Sequence, residues 1–241
     1  MMERDIARRN IYAFISIATA DPASREKHLD DVTTQPILNC ALDLIREDWE
    51  FHPASLGAGE IHPTKLRLRF PAQIETSIEA EYAPVFGLCA SKDCPPYETE
   101  YCALKDITFR SQQMADVAGF YEAFGLRTSS QAHERADHVS LETEFMAVLI
   151  TRQLRAVQAK LPPEAVDVCR EAQRKFFADN LVWWLPAFGL NLMRHASGFY
   201  MALGQLICAF NPAERAIFGL QPFAHMPPAE THPPDEMVCQ G

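Results

Sequence analysis

Apolar positions along the chain recur mostly at intervals of three and four residues, the spacing that places side chains on one face of a helix. In the stretch SQQMADVAGFYEAFG, Val117, Tyr121 and Phe124 share one side, and Gly125 stands where a helix takes a left-handed C-cap. The same period predicts further helices over residues 6–20, 37–45, 71–87, 138–154, 162–184 and 198–210.

Strand signals are almost absent. Only the segment KLRLRF at 65–70 alternates between polar and apolar residues, and it has no obvious partner strand, so we expect a short helix or an extended connector there. Pro186 should end or kink the helix over 162–184. The pattern predicts an all-α, single-domain helical bundle over residues 1–220, followed by a Pro-rich, mobile tail over 221–241.

Composition and charge limit the class of binding partner and the cellular compartment that the sequence favours. The 241 residues are 48% hydrophobic and 22% charged, a balance typical of a globular protein, and no apolar run reaches the ~20 residues that a membrane helix needs. The net charge of −10 argues against nucleic acid as a partner. Seven cysteines without a C-x-x-C pair indicate free thiols, which predicts a cytoplasmic protein.

The N-terminal stretch allows two interpretations. Arg8 and Arg9 precede an apolar run that ends in Ala-Thr-Ala at 18–20, an arrangement similar to an export signal with its cleavage site. The alternative is an amphipathic first helix that Asp21 and Pro22 close. Acidic residues before the arginines and polar residues within the run favour the helix.

Asp137 and His138 mark the junction between a charged cluster and an apolar helical stripe. Aspartate directly before such a stripe is a favourable N-cap, worth about 1 kcal/mol. His138 would then occupy the first turn, where a positive charge is unfavourable, so we expect an uncharged imidazole exposed to a groove. Glu142 follows four residues later on the same helix face, which leaves a helical metal-binding protein or enzyme using His138 and Glu142 as the alternative function.

The loop CPPYETEY alternates aromatic and acidic side chains. Tyr97, Glu98, Glu100 and Tyr101 could present an acidic edge on which an arginine side chain stacks and pairs. The other interpretation is a solvated loop whose tyrosines fix it to the core. Both remain open from the sequence.

Several stretches together resemble the TorD/DmsD/NarJ family, the maturation chaperones of molybdenum redox enzymes. The loop is most similar to chaperones that serve enzymes related to ethylbenzene dehydrogenase, dimethylsulfide dehydrogenase, and selenate or chlorate reductase. One departure is Ala136, which stands where the family usually has proline before Asp-His. The resembling stretches, in family order and spacing, are EYAPVFG, CPPYETEY, ADVAGFYEAFGL, ERADHVSLETEFMAVL and FFADNLVWWLPAF, spanning about 80–190.

The resemblance implies a TorD-like all-helical fold, no catalysis and no bound cofactor. It implies that the protein binds the twin-arginine signal peptide of a molybdoenzyme catalytic subunit and holds the apo-subunit until the molybdenum cofactor is inserted. Carried over by position, the leader-recognition residues are Asp137, His138 and Gly125. We expect no nucleic-acid partner, no stable membrane insertion, and either a monomer or a homodimer.

Such a leader offers two arginines followed by an apolar segment, so its receptor should offer carboxylates beside an apolar groove. Asp137, Glu142, Glu98 and the ring of Tyr97 are the candidates for the polar part, with His138 beside them. In this interpretation the first helix is core, and both of its arginines are solvated. The candidate wall residues are Tyr82, Phe86, Tyr121 and Phe145.

Removing residues 225–241 should leave the melting temperature almost unchanged, because a polar, Pro-rich tail buries little apolar surface. Circular dichroism of the full and the shortened chain measures this directly. A fall of many degrees on truncation would show that the tail packs on the helical domain.

Overall fold

A computed structural model describes residues 2–23, 35–51, 54–66, 68–71, 73–87, 91–102, 107–128 and 134–222. Helices account for most of this part of the chain. They are α1 (Met2–Thr19), α2 (Gln35–Phe51), α3 (Ile74–Phe86), α4 (Ile107–Ala123), α5 (Val139–Gln158), α6 (Pro163–Phe176), α7 (Val182–His195) and α8 (Gly198–Ile217). Two 3₁₀ turns, Pro63–Lys65 and Glu98–Tyr101, lie between them, and a π-helical turn, Phe177–Leu181, joins α6 to α7.

The all-α fold is confirmed. The described segments contain no strand, and their single isolated β-bridge pairs Tyr97 with His138 in antiparallel orientation. Of the alternating segment at 65–70, Lys65 ends the 3₁₀ turn Pro63–Lys65, Leu66 is extended, and residues 68–70 have no regular secondary structure. None of the described helices is both long and apolar enough to cross a membrane.

Helix α1 lies at the centre of the bundle, where it packs mainly on α5 and α2. Ile11, Phe14 and Ile15 have no exposed surface, and the ring of Phe14 contacts the rings of Phe70 and Phe199 edge-on. Each such fully buried apolar side chain contributes about 1.5–3 kcal/mol to folding. The core-helix interpretation of the N-terminal stretch agrees with this packing.

Helices α7 and α8 cross closely because both carry glycine at the contact. A Cβ atom on Gly189 would lie 2.7 Å from the Cys208 sulfur, and one on Gly204 would lie 2.5 Å from the Gly189 carbonyl oxygen. No side chain fits at either position, so the two backbones meet directly.

Of the two effects predicted for Pro186, an end of the helix is wrong, and a kink stays a prediction. Pro186 lies inside α7, which continues to His195. Proline lacks the N–H that would bond the carbonyl of Val182, and the Asn211 side-chain amide lies 3.5 Å from that carbonyl instead. The π-helical turn just before α7 adds a further irregularity that periodicity alone does not reveal.

The expectation that Arg8 is solvated is also wrong. Its side chain is 2% exposed and donates a two-pronged hydrogen bond to Glu214 of α8, at 2.6 and 2.9 Å. It also bonds Asp5 at 3.1 Å and Gln173 at 3.1 Å. Burial alone would lower the pKa of Arg8, but Glu214 raises it above its ordinary value and keeps the guanidinium charged.

Proline content led to the prediction of a mobile tail at 221–241. Residues 223–241 lie outside the described part of the chain, so that prediction stands on the sequence. The described chain reaches residue 222, just beyond the end of α8.

Arg8→Ala should lower the free energy of unfolding by about 3–5 kcal/mol, because it leaves the buried Glu214 carboxylate without its guanidinium partner. Arg9→Ala is the matched control. The neighbouring guanidinium bonds Asn10, and its loss should cost no more than about 0.5 kcal/mol. Urea denaturation of both variants gives the comparison, and equal effects would show that the Arg8 network contributes nothing special.

Candidate functional site

The 94–102 loop is fastened to the start of α5 by backbone hydrogen bonds. The Glu98 amide donates to the Asp137 carbonyl at 2.9 Å, and the Val139 amide donates to the Pro96 carbonyl at 2.8 Å. Together they make the short antiparallel bridge that links Tyr97 to His138. Two regions of the sequence that each suggested peptide recognition therefore form one unit.

The N-cap of α5 is His138, not Asp137. The backbone of His138 is extended, and its Nδ1 accepts a hydrogen bond from the Ser140 amide at 3.1 Å. This bond fixes the tautomer with the proton on Nε2. His138 is 1% exposed, so the predicted exposure to a groove is wrong. Burial lowers its pKa to about 4, and the ring is neutral at neutral pH, as expected.

Asp137 faces the loop instead of the helix amides. Its side chain is fully buried. One carboxylate oxygen, Oδ2, accepts from the Thr99 amide at 3.2 Å, from the Thr99 hydroxyl at 2.8 Å and from Arg135 at 2.7 Å, while Oδ1 accepts from Arg135 Nε at 2.9 Å. Asp137 thus fastens the loop and the preceding turn to the start of α5. Asp137, Thr99 and Arg135 together form what we call the clamp.

Arg135 occupies the acidic, aromatic edge that the loop was predicted to form. Its guanidinium carbon lies 4.4 Å from the centroid of the Tyr97 ring, and it also bonds the Thr99 hydroxyl. Glu100 lies 3.6 Å away on the same side and is shared with Arg110 at 3.4 Å. The loop does bind an arginine side chain, as one of the two interpretations predicts, and that arginine is the protein's own Arg135.

Glu98 and Glu142 form a buried pair of carboxyl groups below this clamp. Neither has any exposed surface, and the two carboxyl groups lie within hydrogen-bond reach of each other. Gln113 donates to Glu98 at 3.0 Å. Burial raises the pKa of Glu98 to about 8, and burial together with the charge of Glu98 raises the pKa of Glu142 well above its ordinary value. The pair therefore retains a proton at neutral pH, which one carboxyl group can donate to the other.

Helical spacing does bring His138 and Glu142 onto one helix, yet the surroundings do not suggest a metal centre. Among the described residues, no group of three or more histidine, cysteine, aspartate or glutamate side chains is placed to hold a metal ion. The Nδ1 atom of His138 is used by the Ser140 amide. No observation favours the metal or enzyme alternative.

Most of the predicted wall residues are core residues. Phe86, Tyr121 and Phe145 are 3%, 5% and 2% exposed, because α3, α4 and α5 turn these rings inward against other aromatic rings. Tyr82 is partly buried beside Phe86, with ring centroids 4.9 Å apart. Phe86 is therefore a core residue and does not line an open groove, whereas the mostly buried rings of Tyr121 and Phe145 line a small surface depression.

A small apolar depression does lie close to the clamp. It has a volume of about 110 Å³ and includes Leu126, Leu141 and Val148 over the buried ring of Tyr121. The hydroxyl of Tyr121 donates to the Ala136 carbonyl at 2.9 Å, which ties the depression to the turn before Asp137.

A larger apolar groove of about 600 Å³ lies between α4 and α6. Its lining includes Phe120, Phe124, Val168 and Ala172. Glu164, Asp167, Glu171 and Lys175 also line it.

Gly125 has the role in the fold that its position predicts. Its φ is +66°, and its amide donates to the Glu122 carbonyl at 2.8 Å while the Leu126 amide donates to the Tyr121 carbonyl at 2.9 Å. These two bonds end α4. A Cβ atom here would touch nothing within 4 Å, so glycine is required for its left-handed backbone and not for space.

Sequence reasoning missed Arg135, Thr99 and Gln113. Arg135 stands two residues before Asp137, a spacing that neither a helix nor a strand pattern explains. Its contacts with Thr99, Glu100 and the Tyr97 ring all come from the distant loop. The one available signal was charge: a basic residue two positions before Asp137, itself a candidate carboxylate for binding an arginine.

Comparison with known proteins gives a consistent set of matches. The family model described as nitrate reductase delta subunit matches residues 62–189, more than half of the chain. Chaperone protein TorD of Photobacterium profundum is 28% identical over 146 residues, covering 60% of this chain and 64% of that protein.

Two further relatives are named for particular reductases. The perchlorate reductase assembly chaperone protein of Dechloromonas aromatica is 35% identical over 108 residues, 44% of this chain and 47% of that protein. The selenate reductase assembly chaperone protein of Thauera selenatis is 30% identical over 141 residues, 57% of this chain and 70% of that protein. The matched regions thus span about half to two thirds of these relatives.

The carboxyl pair predicts how stability depends on pH. A carboxyl group with a raised pKa in the folded state stabilises the fold below its unfolded pKa of about 4.5, and this contribution is lost as pH rises through about 8. His138 has a lowered pKa, so it acts oppositely between about pH 4 and 6.5. The effect of the carboxyl pair is therefore separated from that of His138 between about pH 6.5 and 8. In this range the free energy of unfolding should fall by up to about 1.4 kcal/mol per pH unit for each retained proton.

Glu142→Gln should flatten this slope, because glutamine keeps the shape and removes the titrating group. Glu122→Gln, on the exposed surface of α4, is the control and should keep the wild-type slope. Urea denaturation at several pH values between 6.5 and 8 measures both. A wild-type slope near zero would show that the pair holds no proton in this range.

Proposed function

The chain belongs to the nitrate reductase delta subunit family, and we propose that it is a cytoplasmic, system-specific chaperone for the catalytic subunit of a molybdenum-containing oxidoreductase. In this proposal it binds the twin-arginine leader of the apo-subunit and holds that subunit until the cofactor is inserted, so that export follows assembly. The names of the relatives, which include assembly chaperones for perchlorate and selenate reductase, support a chaperone role without catalysis.

One structural observation carries the peptide-binding part of the proposal. At the start of α5, a carboxylate and an aromatic ring hold a guanidinium group: Arg135 is forked onto Asp137 and stacked on Tyr97. Paired donors on a carboxylate and a cation over a ring are the two contacts that distinguish arginine from lysine. This is the chemistry that recognition of a leader arginine requires.

The apolar part of a leader needs a different surface. The Tyr121–Ala136 hydrogen bond ties the depression to the turn before Asp137, but the volume of about 110 Å³ suits only one or two side chains. The groove between α4 and α6 is large enough for several, and the exposed Val168 in it is 61% accessible. We assign the apolar leader segment to these two surfaces.

Acidic residues surround the larger groove. Glu164, Asp167 and Glu171 line it against a single lysine, Lys175, and two of the carboxylates also contact arginines of α6. A leader carries its positive charge next to its apolar segment, so this combination of apolar wall and acidic rim is complementary to it.

The affinity should be moderate. Apolar burial contributes ~25 cal/mol per Å², and ordering a flexible peptide offsets much of that gain. We expect a dissociation constant around micromolar, about −8 kcal/mol.

Calorimetric titration of the client leader peptide tests the proposal. Asp137→Asn should weaken leader binding about tenfold or more, because it removes the charge that an arginine fork needs. Asp43→Asn, an exposed aspartate of α2, is the matched control and should bind like wild type. Because Asp137 is fully buried, its variant will also melt earlier, and binding is measured well below that transition.

A wild-type protein that binds no twin-arginine leader in this titration would contradict the proposed function. Equal affinities for wild type and Asp137→Asn would show that the protein binds the leader but that the leader arginine contacts a site other than the clamp.

A further inference from the structure

We infer that the place occupied by Arg135 is a guanidinium-binding site that accepts an arginine side chain of the leader after Arg135 has left it. This inference rests on the proposed function and adds a specific exchange: the protein's own arginine holds the site until an arginine of the partner replaces it. The site consists of the Asp137 carboxylate, the Thr99 hydroxyl, the Tyr97 ring and the Glu100 carboxylate.

The occupancy of Asp137 makes the exchange necessary. Both carboxylate oxygens already accept hydrogen bonds from Arg135, and Oδ2 accepts two more from Thr99. The side chain has no exposed surface. A second arginine cannot form a fork with Asp137 while Arg135 is in place, so direct recognition and the present contact exclude each other.

Arg135 is the part of the site that can move. Its side chain is 36% exposed, and it stands in the turn between residue 134 and α5, outside any helix. The frame around it is held independently. The Glu98–Asp137 and Val139–Pro96 backbone bonds, and the Thr99 bonds to Asp137, involve no atom of Arg135.

An exchange of one guanidinium for another also avoids the large cost of an unpaired buried charge. Asp137 would lose its paired hydrogen bonds from Arg135 and gain equivalent hydrogen bonds from the leader arginine, which would also stack on the Tyr97 ring. Lysine could supply charge but neither the two parallel donors nor the planar stack. The site should therefore select arginine over lysine.

The charged side chains around the site determine whether it attracts a guanidinium group. Glu134 accepts a hydrogen bond from the Tyr97 hydroxyl at 3.1 Å and lies 3.7 Å from Nε2 of the neutral His138. Glu100 is shared with Arg110, which reaches it at 3.4 Å. Once Arg135 has left, Asp137, Glu100 and Glu134 surround the site with Arg110 as the nearby cation, so its charge attracts a guanidinium.

Chemical rescue tests the site without any leader. Arg135→Ala should melt at a lower temperature than wild type, and ethylguanidinium at millimolar concentration should restore part of that loss in a saturable way. Ethylammonium, which has the same charge but no fork, should restore clearly less. Wild type, whose site is occupied, should show no such gain, and an absence of selective rescue in Arg135→Ala would overturn the inferred site.

Leader titration tests the exchange. If Arg135 competes with the leader, Arg135→Ala should bind the leader about tenfold more tightly than wild type, the factor expected when one charge-assisted contact no longer has to be broken. A leader with lysines in place of its two arginines should lose this gain. Arg110→Ala, which removes the other arginine on Glu100, is the matched control and should show no comparable increase.

Arg135→Lys provides a second variant that keeps a positive charge near Asp137, should Arg135→Ala fail to fold. It should bind the leader more tightly than wild type, since lysine holds the carboxylate less firmly. If wild type binds the leader but both variants bind it equally or more weakly, Arg135 is a structural residue and the exchange is wrong. If wild type binds no leader at all, the proposed function itself fails, whatever the rescue experiment shows.

Discussion

The buried carboxylate of Asp137 is the contact on which the candidate site depends. Its oxygens fasten the 94–102 loop through Thr99 and the preceding turn through Arg135, while its own backbone carbonyl bonds Glu98. A buried charge of this kind is tolerated only when its hydrogen bonds are satisfied, and here all its partners come from the two segments it joins. The loop therefore has one position relative to α5, and the aromatic and acidic groups on it have fixed places.

A second buried carboxylate, Glu214, is held by an arginine elsewhere in the bundle. Arg8 of α1 is buried against Glu214 of α8, with Gln173 of α6 in contact, so one guanidinium connects three helices. In both places an arginine pairs with a fully buried carboxylate, from another helix at Glu214 and from two residues further along the chain at Asp137. Arg8 and Arg135 thus act as internal connectors, and the proposed exchange would replace the second of them with an arginine of the partner.

The sequence predicted those features that depend on nearby residues. Helical periodicity identified the bundle, and the left-handed cap at Gly125 follows from its position after an aromatic helix. Asp137 and Arg8 were misplaced for one physical reason: their partners lie 38 and 206 residues away, and a local pattern cannot show whether a charge will meet such a partner. Aspartate before an apolar stripe is usually a cap, but here the arrival of the loop gave it different donors and left the cap to His138. The wall residue Phe86 failed likewise, since a helix stripe shows that a side chain is apolar and not whether it lines a groove or the core.

Nuclear magnetic resonance of a leader peptide labelled with ¹⁵N at its arginines tests the central claim most directly, because it reports on the arginine side chain itself. The account predicts that on binding to wild-type protein one leader arginine Nε–H resonance shifts, becomes protected from exchange with water, and shows a nuclear Overhauser effect to the Tyr97 ring. A leader that binds with its apolar segment while both arginine Nε–H resonances stay as in free peptide, with no contact to Tyr97, would contradict it.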